Sequence, residues 1–176
     1  LPPDAMAQLF AAAPANDLPP VPNYNVCPTD SVPIVTSDAE GGRKLRPMRW
    51  GFIPRWYKDP SAGPLLIKAR AETLAEKPAF RTAARTRRGV VIATGFYEWT
   101  KDGEGGRDPW YIHPRQGTAL ALAGVWQDWS VEGENLRTCA IVTTSANAVM
   151  SKMHHRMPVV IQEGDWPLWL GESGKG

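Results

Sequence analysis

Cysteine is scarce in this chain: Cys27 and Cys139, in the contexts NVCPTD and RTCAIV, are the only two in 176 residues. Neither belongs to a CxxC pair or stands near a histidine, so neither a zinc site nor a disulfide framework is expected, and no metal or cofactor is assigned. No apolar run approaches the roughly 18 residues needed to cross a bilayer, and no basic-then-apolar leader opens the chain. The expectation is a soluble, cytoplasmic monomer with no membrane partner. There is no glycine-rich phosphate loop, no GxSxG elbow and no SxxK arrangement, which removes support for nucleotide hydrolysis and for conventional serine hydrolysis. Net charge is only +2, so affinity for nucleic acid has to come from how charge is distributed.

Hydrophobic residues at 43% and charged residues at 22% are ordinary for a folded globular chain, and the length suits a single domain over 1–176. The 17 prolines and 16 glycines favour short elements joined by turns over long helices. A short amphipathic helix is predicted before Pro14, with Met6, Leu9 and Phe10 at helical spacing, followed by a loop from Ala15 to Pro22. Tyr24 to Pro28 and Ser31 to Thr36 read as extended pieces, 65–73 opens as a short strand, and Pro78 to Arg88 reads as a helix exposing Arg81, Arg85, Arg87 and Arg88. Strands are predicted at 89–99, 109–114, 118–126 and 137–144, with short helices from Ser145 to Met150 and from Asp165 to Leu170. Strands in such close succession imply antiparallel pairing. The pattern fits an α+β fold on a mostly antiparallel, curved, barrel-like sheet with a few short helices.

Between Arg43 and Lys58 the chain carries Arg43, Lys44, Arg46, Arg49, Arg55 and Lys58 with no acidic residue, interleaved with Trp50, Phe52, Trp56 and Tyr57. Cations neutralise phosphates and aromatic faces stack unpaired bases, which points to single-stranded nucleic acid. The competing reading is aromatic core beside a solvated basic loop. In GFYEW, Glu98 stands in an otherwise apolar strand, where a carboxylate needs either acid–base work or an arginine partner. In MHHRMP, His154 and His155 precede Arg156: histidine moves protons near neutral pH and arginine grips phosphate, the plain alternative being exposed loop histidines.

Taken in order, YNVCPTDSVPIV, MRWGFIPRW, IKARAET, GVVIATGFYEW, LALAGVW, AIVTTSAN and MHHRMPVVI resemble the successive motifs of the SOS response-associated peptidase (SRAP) family over nearly the whole chain. The resemblance implies a protein that senses and shields abasic sites in single-stranded DNA. In that chemistry a cysteine exposed at the N-terminus by loss of the initiator methionine attacks the ring-opened sugar, its amine and thiol closing a thiazolidine. Self-removal of the methionine and lyase activity are associated expectations. Glu98 matches the family's glutamate that assists methionine removal and handles the α-amine, and His154 matches its proton-transferring histidine. Asn25 and Pro28 match the loop lining the site, and Trp50 and Gly51 the part that meets bases. Arg70 and Arg156 match phosphate contacts, and Thr143 or Thr144 a hydroxyl contact.

Several positions depart from the family pattern. The chain starts at Leu1 with what resembles the family's early helix, so the family's MCGR opening is expected to be absent from it. Cys27 stands where alanine is more frequent, Lys68 where asparagine is usual, and His155 where aspartate is more frequent. Lys68 replaces a neutral amide with a cation on a longer stem, suited to phosphate, to repelling a nearby ammonium or to forming its own Schiff base, the equal alternative being a side chain that points to solvent. The alternative function is a non-catalytic module that binds single-stranded DNA.

Overall fold

The computed structural model describes residues 1–21, 23–38, 40–117 and 119–172. In chain order these form α1 (Pro3–Leu9), β1 (Ala13–Pro14), β2 (Ser31–Ser37), β3 (Arg43–Trp50), β4 (Lys68–Arg70), α2 (Arg81–Thr86), β5 (Arg88–Ala93), β6 (Phe96–Lys101), β7 (Arg107–Ile112), β8 (Leu120–Val131), β9 (Glu134–Ser145), β10 (Arg156–Pro158) and α3 (Trp166–Trp169). Single 3-10 turns span Met150–Lys152 and Glu163–Asp165. The α+β, barrel-like class read from the sequence is the one observed. No helix among the described residues is long and apolar enough to cross a membrane.

Strands β3, β2, β5, β8 and β9 follow one another in the sheet, and a parallel contact between β3 and β9, with Arg49 opposite Thr138 and Trp50 opposite Cys139, closes the ring. β1 extends it from β3, and β4 and β10 both pair with β9, while β6 and β7 form a separate two-stranded sheet. Most pairings are antiparallel, as expected, but β1–β3, β3–β9 and β4–β9 are parallel.

Alternation along each strand sends one set of side chains inside the ring and the other outward. Val32, Ile34, Met48, Val91, Leu122 and Cys139 fill the interior. On the outside, Val35, Leu45, Val90, Ile92 and Ala121 pack under Met6, Phe10, Trp166 and Leu170 from the two ends of the chain. Ala123, Val125, Ala140 and Val142 pack against Phe52, Leu74 and Phe80. Burial on both faces explains why PIV, VVI and ALAG read as continuous apolar runs without a polar alternate.

Several boundaries differ from the sequence reading. The stretch 89–99 is two strands in two sheets, broken at Thr94 and Gly95. A Cβ on Gly95 would lie 2.5 Å from the Ile112 carbonyl oxygen, so only glycine lets β5 hand over to the hairpin there. Tyr24 to Pro28 forms no strand and leads into a turn at Pro28–Asp30. The helix expected over 78–88 is regular only over Arg81–Thr86. Arg87 and Arg88 are half-buried, donating to the carbonyls of Trp126 and Trp169, and add nothing to an exposed basic face. Ser145 ends β9 and caps no helix; Asn147 caps the following turn instead, its Oδ1 accepting from Met150 N–H at 2.8 Å. The strand expected over 118–126 begins at Leu120, Thr118 lying outside the described residues, as does Pro22.

Candidate nucleic-acid interface

Strand direction gathers most of the residues singled out above. β5 and β9 are each antiparallel to β8 and so run the same way, and β3 and β4 are parallel to β9. The C-terminal ends of β3, β4, β5 and β9 therefore share one rim of the barrel. Trp50 ends β3, Lys68 to Arg70 form β4, Glu98 follows β5, and the loop bearing His154 to Arg156 follows β9.

The approach to β2 is tied to this rim. Thr29 N–H donates to the Trp50 carbonyl at 2.8 Å, and Trp50 N–H to the Asp30 carbonyl at 2.9 Å. Asp30 Oδ2 accepts from Cys27 N–H at 2.9 Å, holding a turn that leaves Asn25, Cys27 and Pro28 exposed beside Trp50. Of the aromatics in the basic window, Phe52 and Tyr57 are buried and belong to the core, and Trp56 is exposed. Trp50 lies between these cases: half-buried, it packs over the barrel interior and donates its indole N–H to the Ile67 carbonyl at 3.0 Å. Gly51 is buried, donating to the Cys139 carbonyl at 2.9 Å, with its own carbonyl accepting from Arg49 Nη1 at 2.7 Å.

Lys68 and Arg70 point to solvent from one face of β4, with Ala69 buried on the other. Their register against β9 sets Lys68 opposite Ile141 and Arg70 opposite Thr143. β10 brings Pro158 opposite Thr143 and Arg156 opposite Ser145. Thr143 is buried, and both its hydroxyl and its carbonyl oxygen accept from Arg156 Nη2, at 3.1 and 3.0 Å. Its hydroxyl thus orients the arginine. His154 is half-buried, its Nδ1 lying 3.0 Å from both the N–H and the carbonyl oxygen of Arg156, which leaves Nε2 as the ring nitrogen not held by the chain. His155 stacks on it with ring centroids 4.5 Å apart.

Glu98 is half-buried in the hairpin, opposite Trp110, and is not the end of a buried strand as its sequence context implied. Among the described residues no hydrogen bond or ion pair links it to His154 or to an arginine. The hairpin also carries aromatic residues that sequence reasoning did not single out. Tyr97, Trp99, Trp110 and Tyr111 are about half exposed on the hairpin, Tyr97 packing across the strands on Tyr111 at 5.1 Å. The alternation in FYEWTK is the sequence signal for Tyr97 and Trp99. Glu72 bridges Arg156 and Arg70, and Arg156 holds its carboxyl far below the usual range, at about 2.

A cavity of about 740 Å³ lies on the flank between β3 and the start of β9, lined in part by Thr29, Arg46, Met48, Arg49 and Arg137. Its three arginines have other partners: Arg46 donates to Thr36 Oγ1, Arg49 to the Gly51 carbonyl, and Arg137 to Asp128, while Arg46 and Arg137 also stack on Trp126.

A family model for the SOS response-associated peptidase (SRAP) matches residues 1–175. The chain belongs to the SRAP family. It is 39% identical over 150 residues to the abasic site processing protein YoqW of Bacillus subtilis, covering 85% of this chain and 66% of that protein. It is 33% identical over 182 residues to the abasic site processing protein HMCES of Gallus gallus, covering 85% of this chain and 54% of that protein. This SRAP chain therefore spans less than two thirds of the length of these relatives. Among solved structures, a protein from Bordetella bronchiseptica shares the fold with a TM-score of 0.81 at 23% identity, covering 96% of this chain and 83% of that one. A protein from Bacteroides thetaiotaomicron superposes with a TM-score of 0.74 at 30% identity, covering 82% and 64%.

Proposed function

We propose that this domain recognises abasic sites in single-stranded DNA and shields them by a covalent crosslink whose nucleophile is an N-terminal cysteine. One observation carries the proposal: β3, β4 and β9 run in one direction, so Trp50, Lys68, Arg70 and the loop of His154 to Arg156 lie toward the same ends of the strands, where β5 also leads into the hairpin that bears Glu98. That rim offers cations for phosphates, half-exposed aromatics for neighbouring bases, and a carboxylate and an imidazole for proton transfer. The relatives, abasic site processing proteins, supply the lesion.

In this mechanism the abasic sugar opens to its aldehyde, with His154 Nε2 moving the proton, and the α-amine adds and expels water to give a Schiff base. The thiol then adds across the C=N bond and closes the thiazolidine. Glu98 accepts a proton from the α-ammonium so that its lone pair is free to attack. The same carboxylate serves removal of the initiator methionine, and the Schiff base gives a route to strand cleavage. Asn25, Pro28 and Gly51 shape the approach, and Lys68, Arg70 and Arg156 hold phosphates, contacts that read backbone more than sequence.

Neither cysteine of the chain has the free α-amine this chemistry needs. Burial also pushes the Cys139 thiol up to about 12, which leaves it protonated at neutral pH. Leu1 and Ile161 pack against the same cluster, and the chain from Ile161 back through β10 leads to His154.

The test is to incubate full-length protein with abasic and intact single-stranded oligonucleotides and look for a denaturation-resistant band. A band confined to abasic DNA is expected. Glu98→Gln and His154→Ala should each slow its formation by about a hundredfold or more with unchanged thermal melting. Wild-type rates in both variants, or a band on intact DNA, would overturn the assignment. Salt-sensitive binding with no band at all identifies a non-catalytic DNA-binding module.

A further inference from the structure

The two arginines assigned above to phosphates already have a partner. Glu72 Oε1 accepts from Arg156 Nη1 at 3.0 Å and its Oε2 from Arg156 Nη2 at 2.9 Å, while Oε2 also lies 3.7 Å from Arg70 Nε. Thr143 fixes the plane of the Arg156 guanidinium from the other side. The carboxylate thus occupies the arginine fork with two oxygens edge-on, the geometry in which the non-bridging oxygens of a phosphodiester engage arginine. The Glu72 side chain is 43% exposed and that of Arg70 66%, so a ligand from solvent reaches both.

We propose that Glu72 is a specificity-determining residue of the DNA contact: it fills the Arg156 fork in the free protein, and an incoming phosphate has to displace it. The proposal rests on the rim being the DNA interface. A carboxylate and a phosphodiester each bring one negative charge and two acceptor oxygens, so exchanging one for the other gains little at that contact. An intact strand, held only by such contacts, is disfavoured. A strand anchored in addition at its lesion still completes the exchange. Two guanidinium groups and one carboxylate present a net charge of +1 to the backbone, and removing the carboxylate makes it +2.

The experiment is a fluorescence-anisotropy titration of labelled, undamaged oligothymidylate at several salt concentrations with wild-type protein, Glu72→Gln, Arg156→Gln, Arg70→Gln and the Glu72→Gln/Arg156→Gln pair. Glu72→Gln should bind about threefold to tenfold tighter, with a log–log salt slope steeper by about 0.7, the increment for one more neutralised phosphate on a single strand. A carboxylate that merely braces the fold gives no steeper slope. The gain should be lost in the double variant, because it acts through the Arg156 fork. Binding by Glu72→Gln that is equal to or weaker than wild type overturns the role of Glu72. Undiminished binding by both Arg156→Gln and Arg70→Gln overturns the interface itself. If Glu72→Gln does not fold, Glu72→Asp replaces it, since it keeps the charge but is one methylene too short for the two-oxygen contact. Tighter binding by Glu72→Asp supports the proposal, and equal or weaker binding overturns it.

Discussion

Gly51 follows β3 at a φ of +155°, and a Cβ there would stand 2.9 Å from Leu65 Cδ1 and 3.2 Å from Arg49 Nη1. Gly51→Ala is therefore expected to destabilise the protein by about 1–3 kcal/mol, from backbone strain together with the displaced neighbours, read as a lowered denaturation midpoint with an unchanged m-value. At this scale the sequence displays residue types well: Lys68, Arg70 and Arg156 as cations and His154 as an imidazole are visible without coordinates. It does not display their partners. Arg156 and Glu72 are 84 residues apart and meet because β4 and β10 both pair with β9. No local pattern encodes that meeting, nor the turning of the Thr143 hydroxyl toward Arg156. The environment of Glu98 was misread because its neighbours Val90 to Ile92 belong to a different strand.

The β6–β7 hairpin shows what an element adds beyond its residues. Tyr97 and Trp99 share a face of β6, each about half exposed, while Phe96, Glu98 and Thr100 turn the other way. A two-stranded ribbon with aromatics on an open face is a stacking platform that contributes little to the core. Tyr97→Ala and Trp99→Ala should leave stability within about 0.5 kcal/mol of wild type. Each should weaken binding of single-stranded DNA by about 1–3 kcal/mol if it stacks a base. Thermal melting and anisotropy titration measure the two effects separately, and an unchanged affinity in both variants would remove the platform role. The alternation in FYEWTK was legible, but the break from β5 was not. VVIATGFYEW reads as one run because what interrupts it is the close packing of Gly95 on Tyr111 and Ile112, residues of the strand that returns to it.

Over the whole molecule, ring closure joins strands far apart in sequence: β3 meets β9 through parallel pairs such as Arg49 with Thr138. Neither hydrophobic periodicity nor turn chemistry reports such a contact, although the number of short strands pointed to a curved sheet. The two chain ends then lock the outer face, where Phe10 stacks on Trp166 at 4.2 Å. Beyond them Glu172 is gripped by Arg43 through both carboxylate oxygens, at 2.8 and 2.9 Å, and accepts from Ser37 Oγ at 2.7 Å. The side chains of this clasp are 17% and 13% exposed, so water screens the pair less than it does a surface ion pair. The Arg43 hydrogen bond holds the Glu172 carboxyl below its ordinary value of 4.5. A carboxyl depressed on folding adds stability that is complete above its unfolded value, and that stability drains away as pH falls from there through the folded value. Stability should therefore lose the clasp's share only below about pH 4.5. Glu172→Gln should melt lower than wild type at pH 7, with the difference narrowing as the pH is taken down through that window. A gap that stayed constant with pH would mean that the side chain contributes through packing and neutral hydrogen bonds, with no share from its charge.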